Sequence, residues 1–574
     1  MRAADFQWMG SFIRTFERAK LSTSDFWVFR DEREPVGGAQ LVDDVRRLVR
    51  RALHSSGDSD ALTNAVIAAG SLECGLADAN APCAHRAADL TDALAFNLLQ
   101  RDEVSLRQIL RRMDHLDVPE ILVISRPEGF SYYALHPCDL VVVADSLPQS
   151  ASYAVVGIRS VGTTLSAMIT AKLRRAGKQA QRITVRPSGH PYERTLQFTP
   201  QQAEWVQSHH HTRSLFVVVD EGPGRSGSTF LSVAEALRKA GISSASIVLV
   251  GSHCPKVASL CAPNIEERWR EFNFLAAERW ACGAYQNLQY LGGGEWRSFL
   301  FSGSERDWPA CWPQMERLKF LSKDGAHIIK FEGLGTQGES VRGRAECLAD
   351  AGFGAQFDET ENGFIHYRRI AGGQLREHEI TRADVGRLAD YCVFRRREFP
   401  APKTNATMFT NMINFNLSLE FGNQIHFSDE VFNCPAPVIP DSRMRPHEWI
   451  RDASGRLIKT DGVSHGDDHF FPGPVDIAWD LAGSAIEWNL SATAEEHLLH
   501  RFQRQSGHDV GARMPEYKIA YAIFQLACCK MALPTTQGTR DEEKLLAEII
   551  RYNNCLKLLL ADVTGGRIKI RQAA

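Results

Sequence analysis

Apolar residues recur at three- and four-residue spacing at Leu41, Val42, Val45, Leu48 and Val49 and again over 106–113, so residues 1–118 read as a helical region. From Glu120 the period changes. Short continuous apolar runs at 121–124, 140–143, 154–156, 215–219 and 247–250 alternate with helical stretches, the pattern of buried, mostly parallel strands in an α/β sheet. This unit is expected to span 119–262. A stretch rich in Trp and charge follows, and 263–290 reads as a linker. The last region, 291–574, opens on Gly292, Gly293 and Gly294, is strand-like at first and becomes helical with aromatic faces after about Thr381. No internal repeat or low-complexity tract interrupts this order.

A chain of 574 residues is too long for one hydrophobic core, which agrees with the division into several units. With 44% hydrophobic and 24% charged residues and a formal net charge of -3, the composition is that of a globular protein rather than a disordered or nucleic-acid-coating one; bulk charge names no partner, and small-molecule substrates are expected only from the motifs below. The 13 cysteines are scattered, with no Cys-x-x-Cys pair, so a reducing, cytoplasmic setting is expected rather than a disulfide framework or a zinc ribbon. No apolar run is long enough to suggest a membrane span, and charges through the first thirty residues interrupt any signal-peptide core. Composition does not set the oligomeric state.

The strongest chemical signal follows the run 215–219. Asp220 and Glu221 stand at the end of a buried strand, and Gly222, Pro223, Gly224, Arg225, Ser226, Gly227, Ser228 and Thr229 lead into a helix expected over 230–239. Such a loop brings backbone N–H groups, hydroxyls and a helix N-terminus to a phosphate, and the two acids suit vicinal ribose hydroxyls. Upstream, 154–156 leads into Gly157, Ile158, Arg159 and Ser160, a second tight strand-to-helix turn. Between the two lies a Gly/Pro-punctuated polar segment, 184–194, carrying Arg186, His190 and Arg194.

Strand, acidic pair and small-residue loop in this order resemble the phosphoribosyl-diphosphate motif of type I phosphoribosyltransferases. The resemblance covers about 119–262 and implies a parallel sheet of that type. It also implies a diphosphate clamp built on Gly157, Arg159 and Ser160, a mobile lid carrying Arg186, His190 and Arg194, and Mg²⁺ bridging diphosphate and ribose. Asp220, Glu221 and Arg159 would carry the transfer of a phosphoribosyl group to an acceptor that the sequence does not name.

The region 291–574 is similar to the aminoglycoside-phosphotransferase and small-molecule-kinase group, which implies a two-lobed, protein-kinase-like α+β fold with ATP and Mg²⁺. Lys330 ends a strand-like run and Glu346 lies sixteen residues later in a predicted helix, so this pair is expected to hold ATP phosphates. Two catalytic loops compete. His465-Gly466-Asp467-Asp468-His469 has the family's wording, but Asp476 follows Asp467 too closely for a hairpin to intervene. Asp441 is followed by a strand, the turn Asp452-Ala453-Ser454-Gly455, a second strand and Asp461. On this second reading Asp441 is the base, Asp461 a Mg²⁺ ligand, His447 a substitute for the family's missing Asn, and Asp480 a structural acid beneath the loop. The expected whole is a phosphoribosyltransferase fused to a small-molecule kinase. The alternative is a phosphoribosyl-diphosphate-sensing scaffold with an inactive kinase-like half.

Overall fold

The computed structural model describes residues 26–28, 33–54, 59–114, 116–190, 192–224, 226–277, 283–301, 305–375, 380–402, 406–422, 425–471 and 473–564. Its centre is a five-stranded, all-parallel sheet. Across it run Gln179–Val185, Ser152–Ile158, Leu215–Val219, Ile247–Gly251 and Asn273–Ala276. Alternation along the strands sends Val155, Val217, Val219 and Val250 to one core and Ala154, Val156, Phe216 and Val218 to another. Helix Val161–Arg175 covers the first face and helix Ser228–Lys239 the second. Every strand of this sheet thus ends on the same edge, where the loops can meet.

Three sequence expectations change here. Residues 121–124 do not join the parallel sheet: Ile121–Ser125 pairs antiparallel with Arg33–Gly37, and Ile121 and Val123 are 60% and 45% exposed. The run 140–143 is not a strand, because Pro137–Leu140 winds as a 3₁₀ turn capped by His136 and Asp139. Segment 263–290 is not merely a linker. It contains helix Ile265–Trp269 and the edge strand Asn273–Ala276, whose four residues are too few to show a period.

The helical N-terminal region is present as Gly38–His54, Ser59–Asp78, Ala84–Gln100 and Glu103–Met113. They pack into a core shared with Ala167, Met168 and Ala171 on the outer side of helix Val161–Arg175. Amphipathic spacing explains the layer: Leu41, Val42, Val45, Leu48 and Val49 are all buried.

The last region builds a second sheet, in the order Gln289–Tyr290, Lys319–Leu321, His327–Phe331, Phe364–Arg368, Phe357–Glu361, with helix Gly335–Asp350 against it. A mainly helical part follows, with a large aromatic core that includes Trp449, Trp479, Trp488 and Tyr521. Between them stands the three-stranded ribbon of Gly372–Gln374, Trp449–Asp452 and Leu457–Lys459.

The two halves are not independent bodies joined by a strap. Phe320, Ile329, Phe331 and Phe364 of the second sheet lie in the same apolar core as Val155, Val217 and Val250 of the first. Leu334 donates its N–H to Phe130 O at 2.9 Å, Gly335 to Asn64 Oδ1 at 2.7 Å, and Asn362 to Asp60 Oδ1 at 2.8 Å. No described helix is long and apolar enough to cross a membrane.

Candidate functional site

The carboxyl edge of the parallel sheet gathers the first set of predicted residues. Asp220 and Glu221 leave strand Leu215–Val219; both are 4% exposed, and Asp220 Oδ1 accepts the Glu221 N–H at 2.8 Å. The Glu221 carboxylate lies so close to Gly129 that a Cβ there would stand 2.6 Å from it. Gly224 and Gly227 adopt positive φ of 59° and 71°, so the loop turns through conformations that glycine adopts without strain. Ser226 Oγ and Ser228 Oγ are 2.9 Å apart at the start of helix Ser228–Lys239, with Thr229 in its first turn. Gly222 packs on His253, a residue at the end of the next strand that the sequence motif did not single out. Arg225 lies outside the described residues.

The neighbouring turn supplies cations. Gly157 is followed by Ile158 and Arg159, whose guanidinium donates to Thr184 Oγ1 at 3.1 Å, Thr184 O at 3.1 Å and Asp78 Oδ1 at 2.9 Å. Ser160 starts the approach to helix Val161–Arg175, where Gly162 touches Val219 O and the Asp220 backbone. The turn therefore sits directly on the acidic pair. Arg186 follows the adjacent strand, hydrogen-bonds Asp78 and lies in the field of Asp220. His190 and Arg194, in the segment read as a mobile lid, lie on a small antiparallel hairpin, Ser188–His190 with Glu193–Thr195. Its register pairs Gly189 with Arg194.

In the second half, Lys330 is 5% exposed, and its Nζ lies 2.6 Å from Asp461 Oδ1 and 2.9 Å from Glu332 Oε1. Glu346 is not its partner. That side chain is 51% exposed and pairs with Arg342, because helix Gly335–Asp350 turns Arg344 inward and a residue two further on faces about 200° away. Glu332, two positions past Lys330 in Lys330-Phe331-Glu332, takes the glutamate's place. Alternation along a strand was the sequence signal for it.

Asp441 is fully buried. Tyr391 donates to its Oδ2 at 2.5 Å, and Lys459 Nζ is 3.3 Å from Oδ1. Asp480 lies beneath, accepting the N–H groups of Asp441 and Ser442 at 2.8 and 3.0 Å, with Arg395 Nε at 3.6 Å. Burial pushes the Asp480 carboxyl up to about 6. Hairpin Trp449–Asp452 and Leu457–Lys459 then delivers Asp461. Burial would raise the Asp461 carboxyl, but Lys330, His465, Lys319 and Lys459 hold it well below its usual range.

Ligand atoms of Asp441, Glu448 and His465 lie within 4.8 Å of one another. His447 is not in this set. It stacks on Trp296 at 5.8 Å, since Pro446–Glu448 is a 3₁₀ turn whose successive side chains diverge by about 120°, so Glu448 faces Asp441 instead. Burial pushes the Glu448 carboxyl up to about 7 against the pull of Lys459 and Arg443. Two cavities meet at these groups. Lys330, Glu448, Asp461, His447 and Arg443 line both, and the larger has room for about 910 Å³. Of the Lys and Arg side chains lining the smaller one, Arg443 alone has no salt bridge among the described residues.

The side chains of the competing loop are held by ion pairs and hydrogen bonds. Asp467 is 6% exposed and binds Arg126 Nη1 at 3.0 Å, Gln337 Nε2 at 2.8 Å and Arg344 Nη2 at 3.5 Å. Asp468 binds Arg317 at 3.2 Å, and His469 approaches Glu128 at 3.3 Å. His465, by contrast, points at Asp461, with Nε2 at 3.6 Å from Oδ2. The segment after Asp461 is thereby fastened to residues 126–132, the same stretch that packs on Glu221.

No protein-family model and no curated protein matches the chain. Among solved structures, the chain is similar to a choline kinase from Streptococcus pneumoniae at 16% identity, covering 42% of this chain and 89% of that one, with a TM-score of 0.31. It is also similar to a macrolide 2'-phosphotransferase from Brachybacterium faecium at 11% identity, covering 48% and 97%, with a TM-score of 0.30.

Proposed function

We propose that the protein is a two-site transferase: a phosphoribosyl-diphosphate site at the edge of the parallel sheet and an ATP-dependent small-molecule kinase site in the second half. The observation that carries the kinase reading is the set Lys330, Asp461, Asp441 and Asp480, with Arg443 two residues past Asp441. A buried lysine on a strand meets an acid at the end of a hairpin, beside an acid whose backbone is held from below. Such a set binds phosphates with Lys330 and offers Asp441 to an acceptor hydroxyl, while Arg443 stabilises the transferred phosphoryl group. Carboxylate oxygens of Asp441 and Glu448, which lie with His465 within 4.8 Å of one another, suit Mg²⁺, which when bound would neutralise phosphate charge; Asp461, against Lys330, would be a further oxygen ligand. Lys459, with Nζ 2.7 Å from Glu448 and 3.3 Å from Asp441, holds those two carboxylates together.

For the parallel-sheet site, the support is convergence: Arg159, Arg186, Asp220, Glu221 and the glycine loop leave three neighbouring strands on one edge. The loop amides and hydroxyls would take the phosphate, the acids the ribose and the arginines the leaving diphosphate. The hairpin of Ser188–His190 and Glu193–Thr195 would exclude water. Its amides are expected to exchange more slowly once Mg²⁺ and phosphoribosyl diphosphate are added, and equal exchange in both states would make it a fixed surface hairpin.

A second reading, a sensor with an inactive kinase-like half, draws on one observation: Asp441 is wholly buried and bonded by Tyr391 and Lys459. Incubating the protein with γ-labelled ATP, labelled phosphoribosyl diphosphate and a metabolite mixture separates the readings. A transferase consumes one or both labels and places them on an acceptor; a sensor binds them and returns them unchanged.

A further inference from the structure

Three arginines meet on one carboxylate beside the phosphoribosyl loop, and the carboxylate comes from a different layer of the molecule. Asp78 is the last residue of helix Ser59–Asp78. Its Oδ1 accepts from Arg159 Nη1 at 2.9 Å and from Arg186 Nε at 3.0 Å; its Oδ2 accepts from Arg186 Nη2 at 2.5 Å and lies 3.5 Å from Arg33 Nη2. The Asp78 and Arg159 side chains are each 12% exposed. Burial would raise the Asp78 carboxyl, but the hydrogen bonds and charges of Arg186 and Arg159 outweigh it and hold the group below its usual range.

Two features separate this cluster from an ordinary cross-link. A carboxylate at a helix C-terminus faces the negative end of the helix dipole, so Asp78 is held where it is by the arginines and not by its own helix. Arg159 and Arg186 also leave neighbouring strands on the edge that carries Asp220 and Glu221, and Arg186 lies in the field of Asp220. A planar carboxylate bridging two guanidiniums has the shape and charge sign of a phosphate oxygen pair.

We propose that Asp78 is an internal counter-ion standing where a diphosphate group binds, and that Arg33, Arg159 and Arg186 form an anion subsite which the diphosphate occupies by displacing it. This rests on reading the adjoining loop as a phosphoribosyl-diphosphate site. Displacement makes affinity depend on the N-terminal layer: the ligand must outcompete Asp78, and a ligand carrying one weakly charged phosphate does so poorly. The recognised chemistry is diphosphate, either free or as the leaving group of phosphoribosyl diphosphate.

The test is calorimetric titration of the full chain with inorganic diphosphate and, separately, with Mg²⁺ and phosphoribosyl diphosphate. Asp78→Asn is expected to bind inorganic diphosphate about tenfold more tightly than the native protein, because the competing charge is gone. Arg33→Gln, which leaves Asp78 paired with the other two arginines, is expected to weaken the same ligand about threefold or more. Unchanged affinity in both variants overturns the proposal, and so does weaker binding by a folded Asp78→Asn. Should Asp78→Asn fail to fold, Arg33→Gln decides alone: weaker binding supports the subsite and unchanged binding removes it. If the native chain binds inorganic diphosphate but not phosphoribosyl diphosphate, the reading of the loop fails while the Asp78 comparison still decides the counter-ion.

Discussion

Asp461→Asn is expected to lower Mg²⁺-dependent turnover of ATP by about a thousandfold while the protein stays folded. The Asp461 side chain is 18% exposed, faces both cavities and is the nearest acid to Lys330, at 2.6 Å. The substitution removes one negative charge from the phosphate and metal position, and Lys330 keeps Glu332 at 2.9 Å. Asp441→Asn behaves differently. It also abolishes turnover, but it leaves Lys459, Tyr391 and Arg395 facing an amide in a fully buried place, so a stability loss of about 3–5 kcal/mol accompanies it. Asp467→Asn loosens the bonds to Arg126 and Arg344 at the junction between the halves, and turnover falls far less. Release of labelled phosphate from γ-labelled ATP, together with thermal unfolding of each variant, measures all three. A turnover loss in Asp467→Asn that exceeds the loss in Asp461→Asn would move the site to the 465–469 segment.

Gly224→Val should weaken Mg²⁺-phosphoribosyl diphosphate at least a hundredfold. With φ at 59°, Gly224 occupies backbone space that a β-branched residue enters only with strain, and the added side chain stands between the loop amides and a phosphate. Gly224 is only half-buried, so most of the effect should fall on the ligand and little on the core. Glu221→Gln is the gentler companion: it keeps the packing on Gly129, removes the charge offered to the ribose hydroxyls and should cost about tenfold. Calorimetry on the two variants and the native chain checks both values. Equal affinity in all three would mean that the loop is only a strand-to-helix turn.

The parts of this fold that were legible beforehand share one property: their sequence pattern and their burial have the same period. Residues 215–219 and 247–250 are buried on both faces, so they appear as unbroken apolar runs. Residues 121–124 are as apolar yet lie outside the parallel sheet: an apolar run does not reveal whether its partner strand lies in that sheet or, as with Arg33–Gly37, outside it. The hairpin between Asp441 and Asp461 was legible from its Asp452-Ala453-Ser454-Gly455 turn, in which Asp452 Oδ1 accepts from Ser454 N and Arg456 N at 2.9 Å each. The partner of Lys330 was not. A spacing of sixteen residues says nothing about which helix face points inward, and Arg344 occupies that face instead of Glu346.

By itself, then, the sequence determined the local chemistry: a strand-acid-acid-glycine loop, a lysine on a strand, a hairpin between two acids, and an amphipathic helical layer in front. Each is set by contacts within about twenty residues, where covalent spacing and backbone period leave few alternatives. The tertiary structure alone decided what those parts meet. It placed Asp78 on Arg159 and Arg186, Glu448 rather than His447 beside Asp441, and Arg126 on Asp467 across the junction. It also merged Val217 and Phe331 into one core where a linker had been expected. Apart from Glu448 and Asp441, which a local 3₁₀ turn brings together, these pairings join residues tens to hundreds of positions apart, and charges at such separations are brought together by how helices and sheets pack, which no local period encodes.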